Sequence, residues 1–262
     1  MRHILFILFV FVFATSCQED VGITPFPYKT PFSIMIWNQG LFNYGLGVAA
    51  DYSNIVSNVE LIDNYIDSND CDICFFTEYA SYLDNDKCLS ANDLLYKDRY
   101  VYWFCSGVGY ESKGIVSKFP FYARSKSFNV SDRLYIKGQF YINECLIHYV
   151  LIHLTPGQDS EAGHQMRIKE LEELLSDFKP SDRVIIVGDF NTPQKYMHQE
   201  LKVLFDHGFT IGNGYLFGTY PTWSNDPNDN IAVKNLKLVN FNVDSTLVRS
   251  DHKMCKAIID IL

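Results

Sequence analysis

Several residue types that can bind a metal ion or transfer a proton lie at or near the ends of apolar runs in this 262-residue chain. They are Asn38, Glu78, His153, Asp189, Asn191, Asp251 and His252. Carboxylate and amide oxygens suit a hard divalent cation, and a histidine side chain can exchange a proton near neutral pH. These residue types, placed at the ends of buried strands, predict a site that holds a divalent metal ion and a phosphate.

Each of these residues also has a purely structural interpretation. Asn38 and Asn191 are common turn residues, and Asp189 could simply begin a loop. A histidine taken alone is more often structural than catalytic. Glu78 is harder to explain in this way, because a carboxylate that follows the apolar run Ile73–Phe76 needs a partner. The whole set, rather than any single residue, favours the functional interpretation.

The apolar runs predict the elements that position these residues. Phe32–Asn38 is predicted as a buried strand, and Ile73–Tyr79 as a second strand. Between them, apolar residues recur every three or four positions, which predicts an amphipathic helix over residues 51–67. A strand, a helix and a strand in this order predict a parallel pair of strands with a crossover.

The middle of the chain is richer in predicted strands, at residues 100–106, 114–119, 134–141 and 145–154. A turn at Asn143-Glu144 joins the last two, so we expect antiparallel pairing here. Apolar spacing predicts helices around Ile168–Phe178 and Met197–Phe205, on either side of a buried strand at Val184–Val187. Further strands are predicted at residues 231–233, 237–241 and 254–261. This order predicts an α/β fold in which helices cover mixed sheets.

The sequence around the polar residues matches known motifs. Val187-Gly188-Asp189-Phe190-Asn191 corresponds to G-D-F-N, and Ser250-Asp251-His252 corresponds to S-D-H. Weaker matches are Trp37-Asn38, Thr77-Glu78, Gly114–Pro120, Ile152-His153-Leu154 and Thr222-Trp223. From about Phe32 to its C-terminus, the chain resembles the endonuclease/exonuclease/phosphatase superfamily. This superfamily includes pancreatic-type deoxyribonucleases, abasic-site endonucleases, sphingomyelinases and inositol-polyphosphate phosphatases.

The resemblance implies a deoxyribonuclease I-like, four-layer sandwich in which two mixed β-sheets lie between outer helices. It also implies an enzyme that hydrolyses a phosphoester by a single in-line attack of water, with no covalent intermediate. Mg²⁺ or Mn²⁺ would be the cofactor, because a divalent cation neutralises the charge that develops on the phosphate. Glu78 would be the main metal ligand, with Asn38 and Asp251 as further ligands.

The same resemblance assigns catalytic roles to the other residues. His252 would transfer protons, and Asp229 would fix its tautomer and basicity. Asp189 would align or deprotonate the attacking water. Asn191 would donate to a phosphate oxygen, and His153 would stabilise charge on the phosphoryl group. The other histidines match no motif and are expected to be structural or exposed: His148, His164, His198 and His207.

The chain departs from the family pattern at four positions. Asn228 and Asn230 flank Asp229, where the family motif I-D-Y-I-F-V has an aliphatic and an aromatic residue. Thr77 replaces a frequent Gln, and Met254 replaces a Pro that commonly follows the histidine by two positions. Neither Thr77 nor Met254 removes a functional group. A few of the aromatic residues near Tyr215–Trp223 could line a substrate groove.

Net charge argues against general affinity for a nucleic-acid backbone. The chain carries −9 at pH 7, and removal of residues 1–16, which contain Arg2 and no acidic residue, changes this to −10. Basic residues near the motifs are few: Lys113, Lys118, Lys195, Arg249 and Lys253. We therefore expect as substrate a small or lipid-linked phosphoester, or a phosphodiester on a surface polymer. The alternatives are an extracellular nuclease and a catalytically silent surface lipoprotein that only binds a ligand.

The N-terminus has the features of a bacterial lipoprotein signal peptide. The apolar run Ile4–Ala14 is too short to span a bilayer of ~30 Å, and Thr15-Ser16-Cys17 follows it. We expect cleavage after residue 16, lipidation of Cys17, export and a membrane anchor. Gln18-Glu19-Asp20 resembles an acidic tag for the outer cell surface. A soluble secreted protein with a free or paired Cys17 is the alternative.

These features divide the chain into a signal peptide at residues 1–16, a tether at 17–31 and one domain at 32–262, expected as a monomer. The part of the tether from Val21 to Pro31 contains three prolines and has no periodicity. Cys71 and Cys74 have the spacing of a redox or zinc pair, but no second pair lies at metal-site spacing. We interpret them as part of a strand that enters the core. An oxidising location would permit disulfides without specifying their pairing.

Overall fold

The structure is a computed structural model, and it describes residues 27, 30–40, 64–78, 81–84, 87–90, 99–104, 112–157, 160–214, 216–220, 225–245 and 250–262. The predicted signal peptide, Cys17 and most of the tether therefore lie outside the described residues. The strands are β1 (Phe32–Asn38), β2 (Ile73–Thr77), β3 (Ser81–Asp84), β4 (Lys87–Ser90), β5 (Tyr100–Phe104), β6 (Lys113–Ser117), β7 (Phe121–Ser127), β8 (Leu134–Ile142), β9 (Cys145–His153), β10 (Val184–Asp189), β11 (Thr210–Ile211), β12 (Asp229–Lys234), β13 (Leu236–Val243) and β14 (Cys255–Ile261). The helices are α1 (Glu161–Ser176) and α2 (Met197–Asp206), and residues 64–69 are also helical.

Two mixed sheets, each with six strands in the described chain, form the body of the protein. Sheet 1 has the order β13-β14-β1-β2-β6-β5, and sheet 2 has the order β11-β12-β10-β9-β8-β7. Strands β1 and β2 pair in parallel at the centre of sheet 1, and β9 and β10 do the same in sheet 2. The other pairs described in these sheets are antiparallel. The predicted parallel pair and the antiparallel middle of the chain are confirmed.

The main hydrophobic core lies between the two sheets. Phe32, Ile34 and Ile36 of β1 belong to this core, whereas Met35 and Trp37 are buried on the other face of the strand. This alternation follows from the two-residue period of a strand. The rings of sheet 2 contribute by stacking, with the ring centres of two core aromatic residues, Phe140 and Tyr149, 5.6 Å apart.

Helical segments cover the outer faces of both sheets. Leu171 and Leu174 of α1 and Leu201 of α2 belong to a second core, which they share with Ile186 of sheet 2. On sheet 1, Tyr65 of the helical residues 64–69 contacts Trp37 with 5.3 Å between ring centres. The predicted α/β fold, a four-layer sandwich of two mixed sheets with outer helices, is therefore confirmed.

The sequence placed most element boundaries within a few residues, with clear exceptions. Helix α1 begins at Glu161, well before the first predicted apolar position at Ile168, because Ser160 caps it by accepting a hydrogen bond from Gly163. The short strands β3, β4 and β11 and the edge strand β7 were not predicted. Of the predicted helix over residues 51–67, only residues 64–67 are described, and these are helical.

Cys71 and Cys74 are buried, and Cys74 lies within β2, as the structural interpretation predicts. Both thiols are free. Burial raises the pKa of Cys71 to about 11 and that of Cys74 well above its ordinary value. Thiols that stay protonated at neutral pH are poor nucleophiles and poor metal ligands.

Candidate active site

The two parallel pairs bring the predicted site residues to one end of the sandwich. Asn38 ends β1, and Glu78 follows the neighbouring strand β2. In sheet 2, Asp189 pairs with His153 on one side and with Asp229 on the other. Because the carboxyl ends of parallel strands meet at one edge, residues far apart in sequence become neighbours.

Asp189 lies at the centre of this group. Its carboxylate accepts a hydrogen bond from Asn38 Nδ2 at 3.0 Å and another from the backbone of Asn191 at 2.8 Å. His153 Nε2 and His252 Nε2 lie 3.7 Å and 3.9 Å from Asp189 Oδ2. Burial opposes ionisation of Asp189, but the two histidines and the hydrogen bonds together lower its pKa. Asp189 is therefore ionised at neutral pH.

His252 and Asp229 form a buried dyad. His252 Nδ1 lies 2.7 Å from Asp229 Oδ2. The other carboxylate oxygen, Asp229 Oδ1, has no hydrogen-bond partner within the described residues. Burial alone would lower the pKa of His252, but Asp229, Asp189 and Asp251 raise it to about 10. Tyr220 covers the imidazole with 4.6 Å between ring centres. The predicted pairing of Asp229 with His252 is present, and the imidazole carries a proton on both nitrogens at pH 7.

The loop that carries His252 is tied to the first strand. Ser250 Oγ donates to the backbone carbonyl of Asn38, and the backbone N–H of His252 donates to Ser250 Oγ at 3.0 Å. Trp37 Nε1 donates to the carbonyl of His252 at 3.3 Å. These contacts explain a structural role for the serine of the S-D-H motif, which the sequence did not assign.

Glu78 adopts a left-handed backbone conformation, with φ of 46°. Such a conformation is uncommon for a residue other than glycine, and it often marks a functional position. Its Oε1 accepts a hydrogen bond from Asn38 Nδ2 at 3.3 Å. Burial raises the pKa of Glu78 to about 7, and the carboxylates of Asp189 and Asp251 add to this effect. Burial likewise raises the pKa of Asp251.

His153 is buried opposite Glu78, with 3.9 Å between its Nε2 and Glu78 Oε1. Burial lowers its pKa to about 3, so this imidazole is neutral at pH 7. Arg133 Nε donates to the backbone carbonyl of His153 at 3.2 Å, which holds the end of β9 in place. The two histidines of the site thus have opposite protonation states.

Asn191 also has a left-handed backbone, with φ of 49°. Its side-chain Nδ2 donates to the carbonyl of Leu154 at 2.9 Å, which joins the G-D-F-N segment to the end of β9. Gly188 of the same segment cannot be replaced by another residue without rearrangement, because a Cβ there would collide with the backbone carbonyl of Ile152. The motif therefore fixes the position of Asp189 by backbone geometry as well as by hydrogen bonds.

A cavity of about 630 Å³ opens over these residues. Six of the eight predicted residues line it, while Asn38 and Asp229 lie behind and support Asp189 and His252. The other lining residues are Asp132, Arg133, Thr155, Pro156, Gly157, Tyr220 and Asn228. Tyr220 lies within the aromatic stretch that the sequence suggested for a groove. Asp132 and Arg133 gave no signal, because they lie in a loop outside every motif.

Two groups of residues could bind a metal ion. Asp189, Asp229 and His252 have ligand atoms within 4.8 Å of one another in the described part of the chain. This group differs from the predicted set of Asn38, Glu78 and Asp251. Asp229 and His252 already form a close hydrogen bond, and His252 Nε2 lies 3.9 Å from Asp189 Oδ2, so this group is a row of charged side chains.

A family model described as the Endonuclease/Exonuclease/phosphatase family matches residues 37–252. The chain belongs to this family. At the family level it is a phosphoester hydrolase or nuclease, and the match spans every one of the eight predicted site residues.

Solved structures of this family share the fold. An endonuclease/exonuclease/phosphatase from Beutenbergia cavernae is 12% identical, covers 89% of this chain and 72% of its own, and has a TM-score of 0.69. TDP2 of D. rerio, solved with a single-strand DNA product, is 16% identical, with coverage of 88% and 100% and a TM-score of 0.65. A 3'-5' exonuclease from Neisseria meningitidis is 17% identical, with coverage of 87% and 100% and a TM-score of 0.63. No curated protein sequence matches the chain significantly.

Proposed function

We propose that the protein is a Mg²⁺- or Mn²⁺-dependent phosphodiesterase or phosphatase in which Asp189 activates the attacking water and protonated His252 stabilises the phosphate. The observation that carries this proposal is the position of Asp189. Its buried carboxylate lies between His153 and His252 and beside Asn38, at the wall of a cavity that also exposes Glu78 and Asp251.

The donor set around Glu78 fits a divalent cation. Glu78 is partly buried beside two other carboxylates, and burial and these charges raise its pKa to about 7. A bound cation would remove this penalty, and oxygen ligands are those that Mg²⁺ and Mn²⁺ prefer. Glu78 and Asp251 would hold the ion, which would neutralise charge on the phosphate and favour attack by water.

The side-chain amide of Asn38 contacts both Glu78 and Asp189. Its Oδ1 accepts a hydrogen bond from the backbone of Gly40 at 3.0 Å, while its Nδ2 faces Glu78 and Asp189. In this orientation Asn38 positions the two carboxylates. Direct ligation through Oδ1, as the sequence predicts, is compatible with the hydrogen bond from Gly40, because an amide oxygen has two lone pairs.

The protonation states support the proposed proton transfers. Ionised Asp189 can accept a proton from the attacking water, or it can align the lone pair of that water with the phosphate. Protonated His252 can stabilise the developing charge on the phosphate or protonate the leaving oxygen, and Asp229 holds its ring in place. Neutral His153 can donate a hydrogen bond to a phosphoryl oxygen without adding a full charge. The second N–H of Asn191 Nδ2 can donate to the same group.

The described basic residues favour a small substrate over a long nucleic acid. Lys118 is paired with Asp70 and Asp72, and Lys113 is buried. Among the described residues that line the cavity, Arg133 is the one Lys or Arg. Such a site can hold one or two phosphates but does not provide a track along a duplex. We therefore propose a small or lipid-linked phosphoester as substrate.

A nuclease is the second candidate, and the comparisons favour it. One neighbour was solved with a single-strand DNA product, and another is named as a 3'-5' exonuclease. At 16% and 17% identity these neighbours share the fold with this chain, and their substrates need not be the same.

A hydrolysis screen separates these candidates. The purified protein would be assayed with Mg²⁺ and with Mn²⁺ on bis-nitrophenyl phosphate, plasmid and single-strand DNA, sphingomyelin and inositol phosphates. We expect higher kcat/KM on a small or lipid-linked phosphoester than on DNA, with weak salt dependence, and loss of activity on chelation. Plasmid nicking without action on the other substrates would select the nuclease. Activity that survives exhaustive chelation would reject the metal site.

We also propose that the protein is exported and anchored by a lipid on Cys17. The support is the sequence of residues 1–17 alone, and no helix within the described ranges is long and apolar enough to cross a membrane. Each CH₂ group of a buried acyl chain contributes ~0.8 kcal/mol, so a multiply acylated Cys17 would hold the protein on a bilayer. Cys17→Ser should move the protein to the soluble fraction. Absence of label from a radioactive fatty acid in the wild-type protein would contradict lipidation.

A further inference from the structure

Asn228 lines the cavity directly beside the His252–Asp229 dyad, and it is only 1% exposed. Neither the nitrogen nor the oxygen of its side-chain amide has a hydrogen-bond partner within the described part of the protein. Native proteins contain few buried polar groups of this kind, and each calls for an explanation. A donor and an acceptor left unpaired on one side chain at a cavity wall point to a ligand that supplies both partners.

The backbone around Asn228 is held in place on both sides. Its carbonyl accepts a hydrogen bond from Phe190 of the G-D-F-N segment at 2.7 Å. The N–H of the next residue, Asp229, donates to Thr219 Oγ1 at 2.9 Å. Asn228 is therefore fixed beside the strand-end pair Asp189 and Asp229, and it lines the same cavity as Asp189 and His252.

The residue type is also informative. The family motif has an aliphatic residue at this position, and an aliphatic side chain would fill the same space without any unpaired polar atom. A buried amide in its place destabilises the free protein unless something compensates. The asparagine at Asn228 is thus explained better by recognition than by packing.

We propose that Asn228 binds a hydroxyl group of the substrate next to the scissile phosphoester, so that the enzyme selects phosphoesters of sugars and polyols. A hydroxyl both donates and accepts, so one such group can pair with Oδ1 and Nδ2 of the amide. A site built to bind a hydroxyl group discriminates strongly against an analogue that lacks it. This proposal rests on the proposed function and narrows its substrate class.

A pair of matched substrates tests the proposal. Turnover of 2,3-dihydroxypropyl 4-nitrophenyl phosphate would be compared with that of propyl 4-nitrophenyl phosphate, with subtraction of the rates without enzyme. For the wild-type protein we expect kcat/KM to be about tenfold or more higher for the dihydroxypropyl ester. Asn228→Leu should bring this ratio close to one. The matched control Asn240→Leu, an exposed position on β13, should keep the wild-type ratio. A wild-type ratio near one, or the same ratio in Asn228→Leu, would overturn the proposal.

A binding measurement separates this proposal from the proposed function. Calorimetry would give the dissociation constants of glycerol phosphate and propyl phosphate for the wild-type protein and for Asn228→Leu. Tighter binding of glycerol phosphate that disappears in the variant, in a protein that hydrolyses no substrate of the hydrolysis screen, would support the hydroxyl site and reject the hydrolase. Hydrolysis of both 4-nitrophenyl esters at equal rates would support the hydrolase and reject the hydroxyl site.

Thermal unfolding provides a readout that distinguishes recognition from a structural role. Because Asn228→Leu removes two unpaired buried polar atoms, we expect its Tm without ligand to equal or exceed that of the wild-type protein. A marked decrease in Tm would assign the amide to the fold and overturn the proposal.

Discussion

Two clusters of buried polar residues meet at the segment from Asp189 to Thr192, and they differ in how well their members are paired. The cavity cluster comprises Asn38, Glu78, His153, Asp189, Asp229 and His252. The helix-side cluster comprises His164 and Arg167 of α1, Glu200 of α2, and Thr192. Both are almost fully withdrawn from water, apart from the carboxylate of Glu78. Burial alone therefore does not separate a site from a structural network.

In the helix-side cluster, each carboxylate oxygen of Glu200 has more than one polar partner. Glu200 accepts from Arg167 Nε at 3.0 Å on each oxygen, lies 2.8 Å from His164 Nδ1, and also accepts from the hydroxyl of Thr192. Arg167 Nη1 continues to the carbonyl of Thr155 at 3.1 Å. His164, which the sequence predicts to be structural or exposed, is buried here and stacks on Tyr196.

In the cavity cluster, like charges lie close together and polar atoms remain unpaired. The pKa of Glu78 is raised to about 7, and Asp229 Oδ1 lacks a partner within the described residues. Glu78 lies at the cavity wall, where a bound cation would supply the partner that its carboxylate lacks. The helix-side cluster stabilises the fold, and the cavity cluster keeps its binding capacity at the expense of stability.

The largest expected effect is on the helix-side cluster. Glu200→Ala leaves Arg167 buried without its anion and should reduce the free energy of unfolding by about 3–5 kcal/mol. Urea unfolding followed by tryptophan fluorescence measures this change. Exposed Glu172→Ala in α1 is the control and should change stability by less than about 0.5 kcal/mol. A loss below about 1 kcal/mol in Glu200→Ala would contradict the structural role.

Next come the proton-transfer residues of the cavity. His252→Ala and Asp189→Asn should each lower kcat by about 10²-fold or more, because each removes a positioned acid or base. Their far-ultraviolet circular dichroism should match that of the wild-type protein. His198→Ala, at an exposed position on α2, should retain activity. Wild-type turnover in either folded site variant would reject the proposed mechanism.

A smaller effect is expected at the metal ligand. Glu78→Gln keeps the shape of the side chain but removes its charge, so it should weaken Mn²⁺ activation by about tenfold or more. The defect should recede partly at high Mn²⁺, which a titration of activity against metal concentration would reveal. An unchanged activation constant would remove Glu78 from the metal site.

The smallest expected effect concerns the pH dependence of stability without metal. The pKa of Glu78 is about 7 in the fold and about 4.3 in the unfolded chain. The folded state therefore loses stability as pH rises through this window, and the full penalty is present above pH 7. Glu78→Gln should raise the metal-free Tm by about 2 °C or more at pH 8, and by less near pH 4.5. A lower Tm for the variant at pH 8 would show that neighbouring groups already stabilise the charge of the Glu78 carboxylate in the metal-free protein.

Much of the fold was predictable because apolar periodicity marks central strands. β1 and β10 were predicted because both of their faces are buried, which gives continuous apolar runs. The edge strand β7 was missed because its sequence FYARSKS is half polar and its residues are partly exposed. Tertiary pairing with β8, rather than local pattern, places it in the sheet.

The site was predictable as a set of residues but not as a geometry. The sequence names Asp189 and His252, and their proximity follows from the pairing of β10 with β12 and of β1 with β14. The left-handed backbone of Glu78 has no local sequence signal. The unpaired amide of Asn228 was visible only as a departure from the motif, because pairing depends on neighbours that the sequence does not specify.

The contact between the first strand and the S-D-H loop has a consequence for biosynthesis. β14 pairs with β1, and Ser250 bonds to Asn38, 212 positions earlier in the chain. The ribosome releases β1 long before β14, and pairing of segments so distant in sequence is slow. A chain interrupted before β14 would leave one edge of β1 unpaired, and the S-D-H loop would lose its connection to the sheet through β14. We expect catalysis to begin only after β14 has been synthesised and has paired with β1.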